Sequence, residues 1–283
     1  MINLLIQPLT FAFMQRGMLA AVIIGILCAV IGCYVVLRSM AFLGDALAHA
    51  ILPGIAIAYL FGGNLLIGAL VAAVVVALGI GFFSREGVIK EDTAIGILFS
   101  AALALGVALI STIRTYAVDL SHILFGNVLG VSPENLRLIS ILAVLILACV
   151  IIFYRPFMIF SFDPVLAKTL RLPIGLLKNL MLVLLAVTIV ISLQTVGIGL
   201  VAAMLVTPGA AAYLLTHRLP AMMALAGLFG GLSSLIGLYL SYYLNIASGA
   251  AIVLVATAIF LLAFFFAPQR GLIWKAAHLG AAQ

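Results

Sequence analysis

Long stretches almost without charge recur through this chain, and no other feature restricts its folding so severely. They fall at about 17–37, 46–62, 65–83, 93–112, 136–154, 179–193, 196–215, 221–243 and 249–267. About 20 apolar residues make one helical crossing of a bilayer. Hydrocarbon offers backbone groups no partner, so only helices and closed barrels cross it. Barrel strands are about ten residues long and alternate apolar with polar, whereas these runs are longer and continuous. The expected fold is therefore all-α and polytopic, one transmembrane domain over residues 1–283. Nine spans are expected, with eight as the alternative, because only Gln194 and Thr195 separate the sixth run from the seventh. Composition agrees: 67% of the residues are hydrophobic and 7% charged, against about 25% charged in soluble domains.

The scattered basic residues give direction. Lys and Arg accumulate in cytoplasmic loops. With the N-terminus outside, Arg38, Arg85, Lys90, Arg155, Lys168, Arg171, Lys178, Arg218, Arg270 and Lys275 share one side, and Arg16, Arg114 and Arg137 the other. Ten against three predicts nine spans, N-terminus out and C-terminus in. The net charge of +6 is thus a topology signal and not a nucleic-acid footprint. Residues 1–15 lack the basic start of a cleaved signal and read as an interfacial lead-in. Cys28, Cys33 and Cys149 have no disulfide or zinc spacing and read as small packed residues.

Two connections exceed simple turns. The outer one, 113–136, holds the apolar stretch His122 to Val131, too short to span, which predicts a short helix at the outer surface. The inner one contains Ser161-Phe-Asp-Pro-Val-Leu-Ala-Lys-Thr-Leu-Arg-Leu-Pro173. Asp163 before Pro164 is an N-cap and first-turn pairing, and Pro173 with Gly175 predicts the stop. The expected product is a short cytoplasmic helix within 161–173.

Of seven acidic residues, Glu86, Glu91, Asp92, Asp119, Glu134 and Asp163 fall in loops or at helix starts, and Asp45 alone enters an apolar run. It is joined by His49, one turn later on the same helix face. A carboxylate and an imidazole converging there can ligate a metal, and intramembrane acids mark substrate paths because they are costly to bury. The other reading pairs Asp45 with Arg38 near the surface and His49 with a carbonyl.

Two ligands do not saturate a transition metal, since zinc takes about four and manganese(II) about six. A second copy about a two-fold axis would double the set to two carboxylates and two imidazoles, suited to Mn(II), Fe(II) or Zn(II). No converging thiolates or thioethers favour Cu(I). Asp119 with His122, His217 with Arg218, and His278 are weaker candidates, each with an ordinary explanation at a loop, an interface or a tail. Thr207-Pro208-Gly209 predicts a helix kink.

A transport reading needs a driving force. No phosphate-binding loop of the G-x-x-x-x-G-K-[ST] type is present, and the second half has no acid to match Asp45 as a coupled carrier would. An external motor acting on residues 161–173 remains. A metalloprotease would want two histidines around a glutamate, and the residues between Asp45 and His49 are alanines and a leucine.

Val30 to Arg38, Val-Ile-Gly-Cys-Tyr-Val-Val-Leu-Arg, and Gly44 to Gly54, Gly-Asp-Ala-Leu-Ala-His-Ala-Ile-Leu-Pro-Gly, carry a resemblance. With Asp92 to Ser100, His122 to Asn127, Ser161 to Ala167 and Ala203 to Pro208, the chain resembles the ABC-3 permeases of bacterial manganese, zinc and iron importers. The likeness covers nearly the whole chain and is nearest the manganese-type members. It implies a type II ABC importer fold in the bacterial plasma membrane, a permease and not an enzyme. It implies a dimeric pore, separate cytoplasmic ATP-binding subunits, and an extracytoplasmic metal-binding lipoprotein. Asp45 and His49 match the family's metal site. The helix of Asp163, Pro164, Val165, Leu166, Ala167 and Lys168 matches its coupling helix. No resident cofactor is implied, only a transported ion.

Overall fold

The computed structural model describes residues 8–85, 89–113 and 128–267, all helix, turn and loop, with no strand among them. Eight helical stretches among these residues are long and apolar enough to cross a membrane. The seventh apolar run, the one in doubt, forms a separate helix whose apolar part, Val201–Leu215, is shorter. The outer-loop helix expected at His122 to Val131 lies largely outside the described residues, as do Glu86, Arg114, Asp119, His122, Arg270, Lys275 and His278. Val128–Gly130 is a 3-10 turn.

The chain forms two compact units, each assembled from separate segments. The first takes residues 1–36, 127–143 and 203–283, and the second 37–126 and 144–202.

In the first unit, α1 (Ala12–Leu37) is largely buried. A side chain added at Gly25 would strike the carbonyl oxygen of Gly230, and one added at Gly230 would strike that of Gly25. Gly230 belongs to the last pair of helices, α11 (Leu219–Leu244) and α12 (Ser248–Phe266), which pack on each other. The buried face of α11 is built of Ala226, Gly227, Gly230, Ser233, Ser234 and Gly237. Small residues let backbones touch where lipid gives no hydrophobic drive between helices. The serines answer their own carbonyls: Ser234 donates to Gly230 O at 2.9 Å and Ser233 to Phe229 O at 2.6 Å.

The second unit begins with α2 (Ala41–Ala50), which runs into α3 (Leu52–Leu60) through Ile51 in helical conformation. Next come α4 (Leu65–Phe83) and α5 (Glu91–Ser111). Helix α4 is amphipathic in reverse. Ala69, Ala73 and Ala77, one turn apart, are buried, while Ile67, Val71, Val75, Leu78 and Phe82 are exposed. Small residues face the packed interior and large ones the exposed side. Asn64 starts the helix by accepting from Leu66 N at 2.9 Å. Helices α2 and α3 pack against α4 and α5.

Helix α6 (Pro133–Ile152) starts where Ser132 Oγ accepts from Asn135 N at 3.1 Å. Two short helices follow, α7 (Tyr154–Phe162) and α8 (Pro164–Thr169), and then α9 (Ile174–Val196). Helix α8 falls within the expected 161–173 but is only six residues long. Its end precedes Pro173 because Arg171 takes a left-handed conformation, φ 54°. There Arg171 N and Leu172 N close on Lys168 O and Ala167 O, bonds that end a helix before any proline is needed. The break after α9 falls at Gly197, φ 87°, not at Gln194 and Thr195. That dihedral suits a residue without a side chain. Helix α10 (Ile198–Leu215) follows, with Pro208 inside it. None of the three cysteines is in a disulfide, and Cys33 Sγ donates to Ala29 O at 3.3 Å.

The Gly25 and Gly230 contact predicts that Gly25→Leu or Gly230→Leu destabilises the protein by about 1–3 kcal/mol through overpacking. Gly96→Ala, at a position with open space around it, should not. Thermal unfolding in detergent measures the difference.

Candidate metal centre

Helix α2 places the two candidate ligands. The Asp45 Oδ1 to His49 Nε2 distance is 3.7 Å, with the side chains 42% and 32% exposed respectively. Everything else from Leu43 to Ala50 is buried, so the open face of the helix is a line of Ala41, Phe42, Asp45 and His49. Alanine at 46, 48 and 50 keeps the buried faces thin.

Aromatic residues frame this face. The Phe99 ring of α5 lies 5.7 Å from that of Phe42, edge to face, and 6.2 Å from the His49 ring. Neighbouring rings restrict the imidazole's orientation, which a ligand needs if it is to meet an ion without reorganising.

Depth follows from helix geometry. The span Ala41–Leu60 is 20 residues long, about 30 Å at 1.5 Å per residue. His49 then sits about 12 Å from its start, near the middle, and Asp45 about 6 Å from it. No re-entrant turn is needed. The chain reverses over residues 38–40, with Ser39 left-handed at φ 56°, and α2 starts at once.

Arg38 does not serve Asp45. Its Nη2 lies 3.0 Å from Glu91 Oε2, and its guanidinium sits over the Phe160 ring, 4.2 Å from the centroid. The other oxygen of Glu91, Oε1, lies 3.0 Å from Lys178 Nζ, which also donates to Ser84 Oγ at 2.7 Å. The local reading in which Asp45 neutralises Arg38 is thereby set aside. Burial lowers the pKa of Arg38, in the link between two spans, and the neighbouring Glu91 opposes the change. An arginine starts so high that it stays charged.

This cluster is what sequence reasoning missed. In the sequence Glu91 reads as one more acid in a loop or at a helix start, Lys178 as a topology signal, and Arg38 as a topology signal or a partner of Asp45. Positions so far apart carry no spacing signal. The one available hint was that all three fall on the same expected side.

Among the described residues, no three His, Cys, Asp or Glu side chains gather to hold a metal, so Asp45 and His49 stand as a pair within one chain. His217 and Arg218 lie in the link between α10 and α11. Asp163 caps α8, its Oδ1 accepting from Val165 N and Leu166 N, each at 2.9 Å. On α8 only Ala167 is buried, and Val165 and Leu166 are 73% and 46% exposed.

Comparison with known proteins agrees with this architecture. The model of the ABC 3 transport family matches residues 10–267. The "Manganese transport system membrane protein MntC" of Halalkalibacterium halodurans is 50% identical over 95% of this chain and 92% of its own length. A "Probable iron transport system membrane protein" of Haemophilus influenzae is 42% identical over 95% of this chain and 99% of its own. Among solved structures, "PsaBC from Streptococcus pneumoniae in complex with Fab" superposes with a TM-score of 0.86 at 39% identity, covering 99% of this chain and all of that one. With a family match over nearly its whole length, the chain belongs to the ABC 3 transport family.

Proposed function

We propose that this chain is the permease subunit of an ATP-driven importer that carries manganese(II) across the bacterial plasma membrane. It is a multi-pass transport subunit, and hydrolysis belongs to a separate ATPase. The observation that carries the site assignment is the open line on α2, where Asp45 and His49 approach within 3.7 Å with part of each side chain exposed.

Two side chains on an open face are half of a four-residue set, which reaches about six donor atoms when both carboxylates bind through two oxygens. A second copy facing the first about a two-fold axis supplies the other half, two carboxylates and two imidazoles in all. This donor set suits manganese(II) and excludes neither iron(II) nor zinc(II). Manganese is preferred on the 50% identity to a protein named for manganese transport. Iron is the second reading, favoured by the Haemophilus influenzae relative.

The permease domain is the whole of residues 1–283, with its N-terminus outside and its C-terminus in the cytoplasm, as the ten-to-three distribution of basic residues supports. A metal-binding lipoprotein delivers the ion on the outer side. On the inner side α8 receives the ATPase. Its apolar side chains Val165 and Leu166 project from a helix outside the spans, where water makes their exposure costly. The Asp163 cap holds that helix in register, an interaction worth about 1 kcal/mol.

Asp45→Ala or His49→Ala should lower manganese uptake by about tenfold or more with complex assembly intact. Radiolabelled manganese uptake beside co-purification of the subunits measures both, and wild-type uptake in both variants would remove the assignment. Unlabelled iron(II) in equal amount should leave most tracer uptake in place; strong displacement favours the iron reading. Val165→Glu with Leu166→Glu should release the ATPase subunit, seen as its loss on co-purification.

A further inference from the structure

The buried ion cluster joins five elements of the second unit at one carboxylate. Glu91 is the first residue of α5, the helix whose Phe99 packs on His49. Arg38 stands in the link that starts α2, seven positions before Asp45. Lys178 lies in the first turns of α9, and Ser84 ends α4. Phe160 lies on α7, whose end at Phe162 meets the Asp163 cap of α8. The side chains are mostly withdrawn from solvent, Arg38 and Lys178 13% exposed and Glu91 21%.

Its composition suits transmission better than stability alone. Two cations share a single carboxylate, so neither can keep its partner if Glu91 moves, and the five elements must shift together or break a buried ion pair. Breaking a buried pair leaves a charge uncompensated, a steep penalty. The cluster therefore favours discrete arrangements over gradual ones, as transmission between distant sites requires.

The path is short. A displacement of α8 reaches α7 through their packing, and α7 carries the ring on which Arg38 lies. Arg38 is held to the start of α2 by residues 39 and 40 alone, and their left-handed turn at Ser39 leaves little slack. Any rotation of Arg38 with Phe160 turns α2, and with it Asp45 and His49.

We propose that Arg38, Glu91 and Lys178 form the latch that delivers movement of the α7 and α8 pair to the Asp45 and His49 helix, making these three positioning residues of transport. The proposal rests on α8 being the surface that receives the ATPase. Glu91 is the pivot, since it alone bonds both cations. Phe160 is the input and α2 the output.

A latch and a structural brace differ in what they do to the stoichiometry. The test uses the complete transporter, permease with ATPase subunits and binding protein, in proteoliposomes, measuring ATP hydrolysis and radiolabelled manganese entry in the same preparation. Glu91→Gln keeps the shape and removes the charge. It should assemble and hydrolyse ATP, with ions moved per ATP at least tenfold lower. Glu91→Asp should recover part of that ratio. Phe160→Leu leaves all three charges in place and should lower the ratio severalfold, so the proposal remains testable if Glu91→Gln does not fold. Arg38→Gln combined with Glu91→Gln should be no worse than the poorer single variant, because both break one device.

An unchanged ratio in folded Glu91→Gln or Phe160→Leu complexes overturns the latch, as does a fall of uptake and hydrolysis in equal proportion. Multiplying deficits in the double variant also overturn it. Failure of the underlying docking assignment looks different: the ATPase would stay bound when Val165 and Leu166 are replaced by glutamate, whatever the ratio in Glu91→Gln.

Discussion

Hydrocarbon supplies no hydrogen bonds and little screening, and the architecture follows from that pair of facts. Every backbone group must be satisfied within its own helix, so the chain is helical wherever it is described within the spans. Side-chain hydroxyls obey the same demand: Thr188 and Ser192 donate to the carbonyls of Leu184 and Thr188 at 2.8 and 2.7 Å. With no hydrophobic drive between helices, packing depends on close backbone approach. Hence glycine faces glycine at 25 and 230, and alanines line the inner face of α4. On α4 the usual placing of large residues inside is thereby reversed, whereas α1 buries Ile24, Leu27, Ile31 and Tyr34.

The same solvent decides where charges stand. An ionised group inside the spans is costly unless paired or set in a polar path, and two of the acids meet this in opposite ways. Glu91 is paired, each oxygen 3.0 Å from a cation. Asp45 has His49 at 3.7 Å and is left partly open. A carboxylate held between an arginine and a lysine has little affinity to spare for an ion, whereas one on an open face beside an imidazole is free to serve as the ligand proposed above. Arg38 stands near enough in sequence to have quenched Asp45. Its engagement by Glu91 is what leaves Asp45 available.

How much of this was legible in the sequence depends on the range of the interaction. Helices arise from local periodicity and were legible, as was the Asp163 cap, whose partners are two and three residues away. The convergence of Asp45 and His49 was legible because a helix repeats every 3.6 residues. The break between α9 and α10 at Gly197 is set by a backbone dihedral, which leaves no mark in polarity, whereas Gln194 and Thr195 are polar without interrupting the helix. The early stop of α8 was hidden by Arg171, a residue that rarely takes a left-handed dihedral. The ion cluster was invisible because its three members come from the link before α2, the first residue of α5 and the first turns of α9, brought together only by the packing of these helices.

An ion path must bind and then let go, and that sets a limit on how complete a site within one chain should be. Four or six ligands fixed on one rigid unit would hold a transition metal too firmly to release it at a useful rate. Dividing the ligands between two copies makes the shell depend on how two α2 helices face each other, so a small rotation of both removes half the ligands from reach. Ligands one turn apart on a single helix suit that arrangement, since they move as a body. If Asp45 and His49 hold the ion as proposed, the two-ligand pair on α2 is complete as a component, and its weakness within one chain suits release.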